Sequence, residues 1–140
     1  MSNPLHVNDG IPQGTPLSSV LFNLYINLII GCVLFCEIKL FADDCLIWIA
    51  ADDIDDAIRK IMSDLYRISC LLQRLKLKLN SLKTKFMIIG DSNSNNNVIV
   101  SIDGQPIERV NKIKYLGVII DDRLTFKDHC EYIAKKMSKK

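Results

Sequence analysis

Two adjacent carboxylates, Asp43 and Asp44, are the residues whose type and spacing point most directly to chemistry. They stand in "FADDCLIWIA", residues 41–50, between the apolar residues Ile38, Leu40 and Phe41 and the run Leu46, Ile47, Trp48 and Ile49. Charges placed beside a core cost free energy unless something compensates them. A divalent cation would do so, because hard carboxylate oxygens suit magnesium, which keeps waters and substrate phosphates in its shell. Two such ions, about 3.5–4 Å apart, clamp the attacking and leaving oxygens of a phosphoryl transfer. Taken alone, however, the pair is better read as the polar tip of a hairpin.

The elements that must position it follow from the flanking sequence. "GIPQGTP", 10–16, is a Gly/Pro turn in which Thr15 suits an N-cap and Pro16 the first helical position. An amphipathic helix is expected from there to about Leu28 or Ile30. Val33 to Phe41 reads as a strand and Cys45 to Ala50 as a second, joined by Ala42, Asp43 and Asp44 as a β-hairpin. Asp52 and Asp53 open the next helix, where carboxylates cap amides and suit the dipole. Its apolar positions, Ile54, Ile58, Ile61, Leu65, Ile68, Leu72 and Leu75, step by four and three and make one face apolar. Asp55 with Arg59 and Asp56 with Lys60 are expected ion pairs on the wet side.

Further on, Lys85 to Ile89 reads as a strand and 90–97 as a polar loop. Val98–Ile102 and Ile107–Val110 flank a hairpin turn signalled by Asp103–Gly104. Ile113–Ile120 reads as another strand. Thr125 is expected to cap a last helix, with Asp128 completing a weak capping box.

Composition limits the alternatives. The chain has 140 residues, 49% of them apolar, enough for one domain with a core and unlike a disordered chain. A net charge of +2 gives no overall bias toward nucleic acid, although from Arg67 to Lys85 every charge is positive: Arg67, Arg74, Lys76, Lys78, Lys83 and Lys85. The five cysteines, Cys32, Cys36, Cys45, Cys70 and Cys130, lack zinc-site spacing and fit reduced residues of an intracellular protein. Val20 to Cys36 is uncharged and approaches the roughly 20 residues of a membrane span. The polar stripe Ser19, Asn23, Asn27 opposite Leu17, Leu21, Leu24 and Leu28 ranks a buried core helix ahead of that span.

The order of the remaining motifs changes the weight of the aspartate pair. "GIPQGTPLSSVLFNLYIN" precedes the hairpin at 10–27, "LNSLKTKFMIIG" follows at 79–90, and "KYLGVIID" at 114–121. Together they resemble the palm of a reverse transcriptase, most like those of non-LTR retrotransposons, over residues 10 to about 137. Phe41-Ala42-Asp43-Asp44 resembles the family's catalytic hairpin. Gly10-Ile11-Pro12-Gln13-Gly14 resembles its glycine/glutamine motif, which lies against template and incoming nucleotide. Asn80, Lys83 and Thr84 are similar to the next motif, whose lysine lies near the nucleotide phosphates. Tyr115-Leu116-Gly117 resembles the hairpin that supports the primer end.

The resemblance implies an RNA-directed DNA polymerase, a nucleotidyltransferase using Mg2+ or Mn2+. Asp43 and Asp44 would be catalytic and metal-holding, and Lys83 catalytic. Pro12, Gln13 and Gly14 would bind nucleotide and template, and Tyr115, Leu116 and Gly117 would lie on the primer side. RNA template, DNA primer and dNTP are the implied partners, with no membrane. The implied fold is α+β: a partial polymerase palm, with an antiparallel sheet and catalytic β-hairpin packed against two helices, then a C-terminal β-hairpin and helix. Residues 1–140 are expected to form one partial domain lacking the fingers, the first catalytic strand and the thumb, with little polymerase activity on its own.

The same residues also have plain physical readings. Gly10 and Gly14 let the backbone approach a ligand, and Gln13 offers a donor and an acceptor. Lys83 suits a phosphate contact or proton donation to pyrophosphate, or else is a solvated lysine. Tyr115 and Leu116 serve equally as core residues, and Trp48 is read as core. Asn27-Leu28 stands where the family often has an acidic residue. A non-enzymatic nucleic-acid-binding remnant using Lys76, Lys78, Lys83 and Lys85 is the alternative reading, and a small membrane protein using 17–36 is a weaker one.

Overall fold

The computed structural model describes residues 16–90 and 98–138. The architecture is α+β, and the chain divides into two compact units between Leu77 and Lys78.

The first unit begins with α1, Pro16–Ile26, which tightens into a 3₁₀ segment at Asn27–Cys32. The helix therefore stops being α-helical before Leu28, and its continuation has the tighter winding common at helix ends. The leucines expected to bury α1 remain exposed: Leu17 at 64%, Leu24 at 63% and Leu28 at 52%. The buried residue of this region is Ile29 in the 3₁₀ segment, which packs against the long helix α2, Ile54–Arg74. Among the described residues no helix is long and apolar enough to cross a membrane.

Helix α2 forms as its sequence dictates. Asp53 is the N-cap and accepts from the amides of Asp55 and Asp56 at 3.2 and 3.3 Å. Leu65, Ile68 and Leu72 of the apolar stripe are buried, each contributing about 1.5–3 kcal/mol of transfer free energy. On the wet side Asp56 pairs with both Lys60 and Arg59, so Arg59 takes Asp56 rather than the expected Asp55. The helix ends in a Schellman motif: Leu77 donates to Leu72 O at 2.8 Å and Lys76 to Gln73 O at 3.0 Å. Lys76 occupies the left-handed position with φ 57°, where glycine is usual.

Between these elements lies the hairpin of β1, Glu37–Phe41, and β2, Asp44–Trp48. The strand expected from Val33 starts only at Glu37, because the amides of residues 34–36 bond to a side chain of α2 instead of a neighbouring strand.

The second unit holds short ladders rather than one antiparallel sheet. β3, Lys85–Phe86, pairs in parallel with β6, Glu108–Arg109. β4, Ser101–Ile102, pairs with β5, Gln105–Pro106, around the expected Asp103–Gly104 turn. The stretch read as one strand, 113–120, is a hairpin of β7, Lys112–Tyr115, and β8, Val118–Asp121. Its turn residues Leu116 and Gly117 have φ 46° and 87°, the paired positive values of a type I′ turn. Val100, Ile102 and Ile107 are buried. Helix α3, Lys127–Met137, packs on β8. Thr125 is not its N-cap. Asp121 organises the approach, accepting from the amides of Arg123, Thr125 and Phe126 at 3.2, 2.9 and 2.7 Å. Asp128 binds Lys112 at 3.1 Å instead of completing a capping box.

Candidate active site

The hairpin tip carries the paired carboxylates. Phe41 lies opposite Asp44 in the ladder, leaving a two-residue loop of Ala42 and Asp43. Asp43 thus lies in the turn, whereas Asp44 is the first residue of β2 and not part of the link. Ala42 supports this tight reversal with φ 53°, a backbone state costly for a residue with a Cβ. Both carboxylates are exposed. Asp43 stands in the turn and Asp44 in the first ladder position opposite Phe41, so the two are adjacent in sequence yet differently placed. Their oxygens are hard donors of the kind magnesium takes. Among the described residues no cluster of three His, Cys, Asp or Glu side chains forms a metal site.

The hairpin is rooted on Asp64 of α2, a residue that sequence reasoning missed. Asp64 is fully buried, and its carboxylate accepts from the amides of Leu34, Phe35 and Cys36 at 3.0, 2.9 and 2.9 Å. Burial alone raises its pKa, but these amides and the Cys36 thiol outweigh that and hold the carboxyl below the usual carboxylate range. Burial, a hydrogen bond to Asp64 and its negative charge push the Cys36 thiol up to about 12. The signal in the sequence was a charge inside the apolar stripe: Asp64 lies three residues after Ile61 and four before Ile68.

The second unit carries the other described motif residues. Asn80 builds the turn that presents Lys83. Its side chain accepts from the Lys83 amide at 3.2 Å, and its carbonyl from the Thr84 amide at 2.9 Å and hydroxyl at 2.8 Å. Lys83 is left exposed. Lys85, in contrast, is paired with Glu108 and is not a free phosphate contact. Tyr115 is half-buried in β7, and Leu116 and Gly117 form the exposed turn. That hairpin is held by α3: the Ile119 amide donates to His129 Nδ1 at 3.4 Å, and Lys114 lies 4.7 Å from the Tyr132 ring centre. Pro12, Gln13 and Gly14, together with Gly10 and Thr15, lie outside the described residues.

A tight hairpin presenting "ADD", followed by an asparagine-built lysine turn and a "YLG" hairpin, keeps the order of motifs on which the resemblance to reverse transcriptases rests. The chain belongs to the reverse transcriptase (RNA-dependent DNA polymerase) family, whose profile matches residues 2–120. Among particular proteins, it is similar to the probable RNA-directed DNA polymerase from transposon X-element of Drosophila melanogaster. The two are 30% identical over 154 aligned positions, which take in 100% of this chain and 16% of that relative. No solved structure matches the chain.

Proposed function

We propose that this chain is a piece of the palm of an RNA-directed DNA polymerase from a mobile element of the non-LTR type. In the complete enzyme it would serve magnesium- or manganese-dependent nucleotidyl transfer. The observation that carries this reading is the two-residue turn that projects Asp43 into solvent with Asp44 beside it, in a chain of this family.

In the reaction a primer 3′-hydroxyl loses its proton and attacks the α-phosphate of a deoxynucleoside triphosphate. The new O–P bond forms as the bond to pyrophosphate breaks. A divalent cation, when bound, supplies positive charge to the attacking and leaving oxygens. Asp43, at the apex of the turn, would hold it directly, and Asp44 would support it through its charge. Lys83, presented by Asn80, would neutralise phosphate or give a proton to the departing pyrophosphate. Pro12, Gln13 and Gly14 would lie against nucleotide and template, and Tyr115, Leu116 and Gly117 beside the primer. Residues beyond this chain would supply a further carboxylate and the surfaces that hold template and nucleotide, so the chain alone would have little activity.

The test is primer extension on an RNA template with magnesium, using the X-element relative with this chain in place of the segment it matches. Asp43→Asn should abolish extension and Asp44→Asn should reduce it less. Undiminished extension by the Asp43→Asn protein would refute the assignment.

A further inference from the structure

We infer that Asp64 is a positioning residue for the catalytic hairpin: its buried carboxylate grips three consecutive amides, Leu34, Phe35 and Cys36, and thereby fixes the point from which β1 runs out to Asp43. The inference rests on reading the 41–44 turn as catalytic, and adds how that turn is held in place.

The geometry needs such a device. Among the described residues β1 and β2 pair with each other and with no further strand, so within them the direction of the hairpin depends on what holds its two ends. β2 is tied to α2 by the short link of residues 49–53. At the start of β1 the 3₁₀ segment packs on α2 through apolar contact, and Asp64 adds the directional tie that fixes residues 34–36. Helix α2 is a suitable reference because it is capped at both ends and carries the buried stripe Leu65, Ile68 and Leu72. Asp64 stands at its middle, so the carboxylate reports the position of the helix body rather than of a fraying end. Both roots of the hairpin are then referred to one rigid element.

The lever is long enough to matter. Five residues of β1 span roughly 17 Å at about 3.3 Å per residue. A swing of about 10° at the root moves the tip by roughly 3 Å over that length, whereas about 1 Å of misplacement can cost 100-fold in rate. A carboxylate suits the task better than an amide: it accepts on both oxygens and has no donor to oppose the three N–H groups.

Hydrogen exchange read by NMR on the 140-residue chain tests this, comparing it with Asp64→Asn. The amides of residues 34–36 and of the β1–β2 ladder should exchange about ten- to a hundred-fold faster, relative to those of Ile68 and Leu72, in the variant. A purely structural role would speed all of these amides by one common factor. That result, or unchanged exchange at 34–36, would overturn the inference. Should Asp64→Asn not fold, Leu34→Pro removes one donor and leaves the carboxylate, and the extended backbone of Val33 (φ −84°, ψ 125°) is compatible with a following proline. It should show the same selective pattern, and uniform acceleration would again be fatal. Broadening by Mn2+ at residues 42–45 is recorded on the same samples. Broadening there that Asp43→Asn removes supports the metal-holding reading; primer extension by the X-element relative carrying this chain decides it, since extension undiminished by Asp43→Asn refutes that reading, while the exchange pattern still decides the role of Asp64.

Discussion

Replacing Asp64 should be the most damaging single polar substitution in the first unit. Three amides donate to its carboxylate at 2.9–3.0 Å, and the side chain is fully buried. Asp64→Leu removes all the acceptors. Each buried amide left unpaired costs about 1–3 kcal/mol. Residues 34–36 can swing partly into water, so a total of about 3–5 kcal/mol is expected rather than the full sum. Asp64→Asn keeps one acceptor but turns an NH2 group toward N–H donors, and should cost about 2–3 kcal/mol. Against a typical stability of about 5–15 kcal/mol, either loss is large. Urea unfolding followed by helix circular dichroism at pH 7 measures both. A loss below about 1 kcal/mol for Asp64→Asn would refute the bonding argument. The acid limb gives an independent check. The folded-state pKa of Asp64 is depressed, so its contribution is fully present above the unfolded value near 3.9 and disappears as pH falls through the folded value. The stability gap between the natural chain and Asp64→Asn should therefore close below about pH 4 and stay constant above about pH 5. A gap that widened on acidification would have the wrong sign.

Three further outcomes follow from local geometry. Cys36, with its thiol pushed up to about 12, should be alkylated at pH 8 far more slowly than the exposed Cys130, and Asp64→Asn should speed it; mass spectrometry of iodoacetamide-treated chain reads both. Lys76→Gly should stabilise the chain by about 0.5–1 kcal/mol, because Lys76 holds the left-handed cap position at φ 57°; an unchanged urea midpoint would contradict this. Gly117→Ala should cost about 1–2 kcal/mol through backbone strain, since φ is 87° and a Cβ there would meet nothing within 4 Å. Gly31, with equal space and no positive φ, should tolerate alanine without loss, and equal losses at both positions would mean that sterics rather than φ decides.

What the sequence made legible depended on how local its cause was. The Asp53 cap of α2 and the centre of its apolar stripe, Leu65, Ile68 and Leu72, have local causes and are found as read, while Leu75 falls just past the helix end. The Asp103–Gly104 turn is local too. The start of β1 is not legible because its cause lies 28–30 residues away: Val33–Cys36 is apolar enough for a strand, yet Asp64 claims the amides of Leu34, Phe35 and Cys36. The leucines of α1 step by four and three as a buried stripe would, yet they find no cover among the described residues. The 113–120 stretch read as one strand because Leu116 is a poor residue for a type I′ turn; only the family resemblance marked a hairpin there. For the site, residue chemistry alone favoured a polar tip at Asp43–Asp44, and the order of motifs supplied the rest. Asp121 escaped notice because one carboxylate binding three amides within five residues resembles any surface aspartate until the backbone closes around it.

The three antiparallel hairpins among the described residues differ in a way that links these findings. In the turn without a family motif, the positive-φ positions are Asp103 and Gly104, residues that local propensity selects, and the ladder beneath them has two register pairs. In the two motif turns, Ala42 and Leu116 stand at φ 53° and 46°, each at a cost of about 1–2 kcal/mol. Their ladders have five and four register pairs. A short ladder has little pairing energy with which to hold an unfavourable turn, so its turn residues must favour the reversal themselves. A longer ladder over-determines the reversal and tolerates strain. The motif turns can therefore carry side chains chosen for something other than making a turn. In the first, the choice leaves Asp43 in a two-residue loop closed by a five-pair ladder, as the cation-holding role proposed above would require.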